Sequence, residues 1–280
     1  MKRTAAPTEA VVVTGASSGI GAATAVAAAQ AGFLTFAGVR RDVDARHVET
    51  LHPNVRAVRI DVTDAASIAA AAELVAASGL ALRGAVSNAG IAVAGPMEFL
   101  PVDQLRRQFE VNVFGSVEVA QAFLPQLRRS RGRLVFVGSI SGRLAVPFIA
   151  PYSASKFALR AIVDAMRVEL RPAGIAVALI EPSSVKTPIW QKGRDSRGAM
   201  LGLLPPQAME RYRTQIEAVF RSTESEERIA IPVERVSQAI LHALTARKPR
   251  SSYLIGAPAR AGSLIAHLPA GLRDRALRRR

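Results

Sequence analysis

A tyrosine and a lysine stand four positions apart in Tyr152-Ser153-Ala154-Ser155-Lys156, and Ser139 precedes them on the chain. On a helix, residues i and i+4 share a face, so a phenol and an ammonium would point into one space. A phenol loses its proton near pH ~10, and a cation held beside it favours the phenolate and lowers that value. Such a pair can give and take a proton near neutral pH. The same spacing also suits an ordinary solvated helix face, so the chemistry needs a framework that brings a substrate to it.

A second chemical element is the loop Thr14-Gly15-Ala16-Ser17-Ser18-Gly19-Ile20-Gly21. It lies between a β-branched run, residues 10–14, and an alanine-rich helical stretch, residues 19–31. Gly15 can take backbone angles closed to other residues and make the tight turn. Gly19 would let a pyrophosphate approach the backbone, and Gly21 would let the helix pack near the strand. The helix N-terminus offers unpaired N–H groups and the positive end of a dipole to an anion. Ser17 and Ser18 add hydroxyl donors, and Ile20 sits between the last two glycines. The spacing differs from the G-x-G-x-x-G fingerprint of other dinucleotide folds, with shared mechanics; the alternative is a tight turn that binds nothing. After the next strand come Arg40, Arg41 and Asp42. Arginine there suits a 2′-phosphate through charge-assisted contacts, which points to NADP(H) over NAD(H). Asp42 would reach a ribose if the strand ended later, and solvated loop charges are the plain alternative for both arginines.

The elements that must position these groups alternate regularly. Strands are expected over residues 10–14, 33–39, 55–60, 82–87, 133–138, 175–180 and 252–255. Helices are expected over 19–31, 64–77 with Asp64 as N-cap, 102–129 with a kink at Pro125, 151–171, 207–221 and 233–246. Alternation of this kind argues for an α/β fold: a Rossmann-type, doubly wound parallel sheet between two helical layers. No internal repeat or linker divides the 280 residues, so one domain is expected, with a lead-in over 1–8.

Composition narrows the function. The chain has no cysteine, which rules out disulfides and thiolate metal sites. His47, His52, His242 and His267 lack metal-ligand spacing, so no metal is expected. The formal charge is +15, from 37 basic and 22 acidic residues. The arginines are scattered and no aromatic residues interleave with the C-terminal cluster, which argues against nucleic acid. No apolar run approaches the ~18 residues of a membrane span, and no secretion-signal pattern opens the chain. A cytoplasmic protein is expected.

The glycine loop, Ser87-Asn88-Ala89-Gly90, Asn112, Ser139 and Tyr152-x-x-x-Lys156 occur in order at characteristic intervals. Together they resemble the short-chain dehydrogenase/reductase family over about residues 9 to 190. The resemblance implies an alcohol/carbonyl oxidoreductase with a catalytic set of Asn112, Ser139, Tyr152 and Lys156. Tyr152 would exchange the proton, Ser139 would hold the substrate oxygen, and Lys156 would lower the phenol pKa and bind the nicotinamide ribose. Asn112 would hold a water leading to solvent. Asp61 and Val62 would contact adenine, Asn88, Ala89 and Gly90 would line the cofactor, and Pro182, Val185 and Thr187 would cradle its nicotinamide end. Ser183 replaces the glycine usual there, and its β-carbon is expected to narrow the site. The segments around Gly95–Leu100 and Ile180–Trp190 look most like the retinol and hydroxysteroid dehydrogenase branch and its bacterial relatives. A homodimer or homotetramer is implied, and a cofactor-binding redox sensor without turnover is the competing class.

A substrate lid is expected over 183–222, with Met97, Phe99, Phe148 and Trp190 forming an apolar wall for a lipophilic alcohol or ketone; the same residues would also suit a core or a subunit interface. The basic tail, 257–280, repeats leucine every four residues at Leu264, Leu268 and Leu272. Docking over the substrate entrance or on a partner subunit is favoured there over contact with a membrane surface.

Overall fold

Val11 and Val13 turn to one side of their strand and Ala10 and Val12 to the other, the period of two that a strand imposes. Each pair meets a different apolar layer, and the fold follows from that division. The computed structural model describes residues 6–187 and 197–278. Its strands are β1 (Glu9–Val13), β2 (Leu34–Val39), β3 (Val55–Arg59), β4 (Ala81–Ser87), β5 (Arg133–Val137), β6 (Ala176–Pro182) and β7 (Ser252–Ile255). They form one seven-stranded sheet in the order β3-β2-β1-β4-β5-β6-β7, and every adjacent pair is parallel.

The helices that return the chain are α1 (Gly19–Gln30), α2 (Asp42–Thr50), α3 (Ala65–Ala77), α4 (Val102–Phe109), α5 (Gly115–Ser130) and α6 (Ala150–Glu169). After β6 come α7 (Arg197–Gly202), α8 (Pro206–Ile229) and α9 (Val233–Thr245), and after β7 come α10 (Ala257–Ile265) and α11 (Ala270–Arg278). On one face of the sheet, Ala25 and Ala28 of α1, Val48 of α2 and Ile240 and Leu244 of α9 pack on Val11 and Val13. On the other, Ile68 and Val75 of α3, Phe123 and Leu127 of α5 and Leu159 and Val163 of α6 pack on Ala10 and Val12. This is the expected three-layer Rossmann-type α/β domain.

Strand order reverses between β1 and β4: the chain runs outward from β1 to β3, then crosses back to lay β4 against the other side of β1. The loops leaving β1 and β4 therefore diverge to opposite faces and open a crevice at the strand tips, where such sheets bind ligands. The glycine loop, Arg40, Asp61, Asn88, Ser139, Tyr152 and Lys156 sit in the loops or helix starts beyond the C-terminal ends of β1 to β5.

The structure departs from expectation in the stretch 102–129. It is not one helix kinked at Pro125, which lies inside α5. A π-helical turn, Glu110–Phe114, separates α4 from α5 instead. Its extra residue per turn, a device often found at functional sites, carries Asn112 inward, where the residue is fully buried. Helix α2 is too short and polar to show periodicity, and α8 extends to Ile229, beyond the expected Arg221. Asp64 does cap α3, its Oδ1 accepting from Ala66 N at 3.0 Å.

Candidate active site

The β1–α1 loop has backbone angles that only glycine takes easily, with φ of 63° at Gly15 and 58° at Gly19. A β-carbon on Gly15 would lie 2.8 Å from Ala89 Cα, and one on Gly21 would collide with the Gly15 carbonyl oxygen. The loop therefore lies flat on the start of α1. Ser18, the N-cap, makes no side-chain bond to the first turn, so the hydroxyl does not occupy the N–H groups there. A cradle closed to side chains beside a helix N-terminus fits a dinucleotide pyrophosphate.

Asn88 holds this cradle to the neighbouring strand. Its Nδ2 donates to the carbonyls of Thr14 (2.9 Å) and Gly15 (3.2 Å). Thr14 Oγ1 in turn accepts from Asn88 N (2.9 Å) and Ala89 N (3.1 Å). The Asn88 side chain thus ties two loops together, and the site-building role of Thr14, which sequence spacing alone did not single out, appears only in this pairing. Gly90 leaves room for Asn112, whose Oδ1 would stand 3.3 Å from a β-carbon there.

The two arginines after β2 separate. Arg41 heads α2, and its Nε and Nη2 grip Asp44 at 2.8 and 2.7 Å. Arg40 is exposed and has no hydrogen-bond or ion-pair partner among the described residues; it borders an open cleft with Thr63, Ile91 and Val111. Asp61 sits nearby, its Oδ1 accepting from Thr63 N (3.0 Å) and Thr63 Oγ1 (2.8 Å). Partial burial would raise its pKa, but those two bonds and the charges of Arg40 and Arg59 together outweigh burial and hold it below the usual carboxylate value. Val62 beside it is buried in the core.

Beyond β5, Ser139 caps a single 3₁₀ turn, Ile140–Gly142, its Oγ accepting from Ser141 N at 3.1 Å. Gly142 is pressed against α6, where a β-carbon would lie 2.8 Å from the Lys156 carbonyl oxygen. That close approach sets the Ser139 turn against the first turns of α6 and brings the Ser139 hydroxyl near enough to the Tyr152 phenol to lower its pKa. Lys156 is buried, its Nζ donating to Val137 O at 2.8 Å and lying 5.7 Å from the Tyr152 ring centre. Asn112 Nδ2 donates to Ser155 Oγ (3.1 Å) and Ile91 O (3.1 Å), and its Oδ1 accepts from Ile91 N (2.9 Å). The Asn112 side chain is thereby committed to joining the π turn, the β4 loop and α6.

The electrostatics correct one expectation. The phenol of Tyr152 is raised above its ordinary value, because burial outweighs the opposing Ser139 hydrogen bond. Burial likewise pushes the Lys156 ammonium down to about 8. With the ammonium 5.7 Å from the ring centre, desolvation governs both groups. At neutral pH the pair is therefore a neutral phenol beside a largely protonated lysine, a proton-donating arrangement.

The apolar wall is only partly as expected. Phe99 and Phe148 both meet Tyr212 of α8 edge-on, at 6.1 and 5.9 Å between ring centres, in a small cluster with Leu204, Ala208 and Ile216. Tyr212 OH donates to Glu98 Oε2 at 2.8 Å, and Arg211 pairs with Glu98 Oε1. Met97 is half exposed and stands outside the cluster. Trp190 lies outside the described residues. Tyr212 had no signal in the sequence, because it meets the two phenylalanines only when α8 folds back. Ser183 does not simply narrow the crevice: its side chain packs toward Gly256, where a β-carbon would collide with Ser183 Oγ. Pro182 and Val185 are buried, and Thr187 is half-buried, on the same segment.

A family model described as short chain dehydrogenase matches residues 9–198. The chain is a short-chain dehydrogenase/reductase. It is 35% identical over 254 residues to the NADPH-dependent 3-dehydrocapnine reductase of Ornithobacterium rhinotracheale, covering 87% of each chain. It is 34% identical over 288 residues to 11-beta-hydroxysteroid dehydrogenase type 2 of Oryctolagus cuniculus, covering 96% of this chain and 70% of the relative. A solved short chain dehydrogenase from Burkholderia cenocepacia, in complex with NADP, superposes with a TM-score of 0.74 at 26% identity, covering 97% of this chain and 98% of that one. This short-chain dehydrogenase/reductase is an oxidoreductase acting on CH–OH groups or the corresponding carbonyls, with hydroxysteroid dehydrogenases among its relatives.

Proposed function

We propose that the protein is an NADP(H)-dependent reductase and dehydrogenase that interconverts a lipophilic ketone or aldehyde and its alcohol. The observation that carries this reading is the meeting of the Tyr152 phenol, the Ser139 hydroxyl and the buried Lys156 ammonium at the strand tips. Bound NADP(H) supplies the hydride exchanged with the substrate carbon. Gly15, Ser17, Ser18, Gly19, Ile20 and Gly21 form its pyrophosphate cradle, Asp61, Val62, Asn88, Ala89 and Gly90 its adenosine and middle contacts, and Pro182, Val185 and Thr187 its nicotinamide end. Arg40, with its guanidinium unpaired, is the residue for a 2′-phosphate; Arg41 is committed to Asp44.

Ser139 holds the substrate oxygen, and Tyr152 delivers its phenol proton to that oxygen during reduction. The raised phenol pKa keeps this proton in place at neutral pH. As the proton leaves, the Lys156 ammonium stabilises the phenolate. In the oxidative direction the same oxygen, once it has given up its own proton and stands as the phenolate beside Lys156, takes the hydroxyl proton. Asn112 keeps α6 and the π turn in register, and a water on its main chain would complete the path to solvent. Phe99, Phe148 and Tyr212 form the apolar wall of the substrate side, which supports a lipophilic substrate. The exposed Phe114, which ends the π turn before α5, and Phe157 of α6 support self-association through this face, and a cytoplasmic location fits an enzyme using a soluble cofactor.

The test is a screen of ketones, steroids, retinoids and aliphatic alcohols with NADP(H) and NAD(H), followed at the reduced-nicotinamide band. Tyr152→Phe is expected to abolish turnover while NADPH still binds. A Tyr152→Phe protein with normal rates would reject the acid/base assignment.

A further inference from the structure

Glu181, at the end of β6, is fully buried, and its carboxylate receives four hydrogen bonds from three elements. Arg143 grips it with both edges of the guanidinium, Nε to Oε1 at 2.7 Å and Nη2 to Oε2 at 2.6 Å. Arg160 Nη1 reaches Oε1 at 2.8 Å, and Ser252 Oγ reaches Oε2 at 2.5 Å. Arg143 also donates from Nη2 to Ser252 Oγ (3.1 Å) and from Nη1 to Ser263 Oγ of α10 (3.4 Å).

The two arginines have telling positions. Arg143 ends the 3₁₀ turn that Ser139 begins. Arg160 lies on α6 four residues after Lys156 and eight after Tyr152. One carboxylate therefore clamps the carrier of the hydroxyl and the carrier of the phenol and ammonium to the same strand end. The clamp is rigid, because a two-toothed guanidinium–carboxylate pair fixes direction as well as distance. It is also sheltered: α10 covers the turn, and Gly262 packs so closely that a β-carbon there would lie 2.9 Å from Ile140 Cγ1.

We propose that Glu181 is a positioning residue for the reaction: through Arg143 and Arg160 it sets the Ser139 turn against α6 and so fixes the serine hydroxyl relative to the tyrosine phenol. This rests on the function proposed above. Burying a carboxylate with two guanidinium groups is not a cheap way to stabilise a fold; fixing the geometry of a donor pair, where small displacements reduce rate strongly, is what this clamp achieves. Glu181 is fully buried and both its oxygens are bound by Arg143, Arg160 and Ser252, so its loss acts on kcat through Ser139 and Tyr152.

The test compares Glu181→Gln, Arg143→Lys and the pair combined, using the best ketone from the screen and NADPH. Glutamine keeps the shape but removes the charge, and lysine keeps the charge but loses the fork. Each single variant is expected to lose at least ten-fold in kcat, with NADPH affinity and ketone KM within about two- to three-fold of wild type. The double variant is expected to be little worse than the poorer single one, because residues acting as one unit are not additive. A crystal structure of Arg143→Lys, the milder change, should show the Ser139 hydroxyl displaced from the Tyr152 phenol, a readout needing neither turnover nor a folded Glu181→Gln. Unchanged kcat in a folded variant, or an unmoved Ser139 hydroxyl in Arg143→Lys, would overturn the proposal, as would kcat and NADPH affinity falling together. If Tyr152→Phe remains active, the acid/base assignment fails instead, and the two failures are distinguished.

Discussion

Replacing Lys156 with Met should make the cofactor-free protein more stable at neutral pH. Lys156 is 6% exposed, and burial lowers its ammonium pKa from 10.5 to about 8. The native state therefore holds that proton more weakly than the unfolded chain does, which costs stability. At about 1.36 kcal/mol per pH unit, the shift corresponds to roughly 3 kcal/mol. Methionine has similar reach and adapts to the same space. It leaves the Val137 carbonyl without the 2.8 Å bond from Nζ, a loss of about 1 kcal/mol. The net gain is about 2 kcal/mol, or roughly 4 °C in Tm at the ~2 °C per kcal/mol of large domains. Because the folded pKa is depressed, the lysine penalty is complete below pH about 8 and disappears as pH rises toward about 10.5. Scanning calorimetry of both proteins without cofactor at pH 7 and pH 10 checks this: the advantage of Lys156→Met should be clear at the first and absent at the second. A variant no more stable than wild type at pH 7, or an advantage that does not shrink with pH, would refute the reasoning. The same substitution should abolish turnover, so the lysine trades stability for chemistry.

Arg40→Ser should raise the KM for NADPH about ten-fold or more, the range for losing a charge-assisted contact, while leaving the KM for NADH unchanged. Arg41→Ser, which breaks the clasp on Asp44 instead, should leave the NADPH-to-NADH ratio near wild type; steady-state kinetics with both cofactors distinguishes the two. Tyr212→Ala removes two edge-to-face contacts, worth about 0.5–1.5 kcal/mol each, and the bond to Glu98. The KM for a lipophilic ketone should rise several-fold, with little change for a small aliphatic one; equal changes for both would place Tyr212 outside the substrate wall.

The layered sheet was legible because its information is local. Buried apolar runs such as Val11–Val13 and Leu134–Val137, separated by helical stretches, determine strand and helix wherever they end up. The glycine loop and the Tyr152–Lys156 spacing were legible for the same reason: backbone angles and a four-residue helical offset are properties of neighbours on the chain. What the linear order could not contain was the balance of forces at points where distant segments meet. Desolvation rather than the lysine charge sets the phenol of Tyr152, because burial is a property of everything packed around it. The π turn at Asn112 is invisible to periodicity, since it exists to bring one side chain to Ile91 and Ser155. Which of two adjacent arginines stays unpaired depends on whether Asp44 reaches it once α2 forms. And the Glu181 clamp draws on residues 143, 160, 181 and 252, whose partnership only the pairing of β6 with β5 and β7 and the packing of α6 on β6 create: a buried charge has to find its counterions in space, and the chain order carries no record of where they will be.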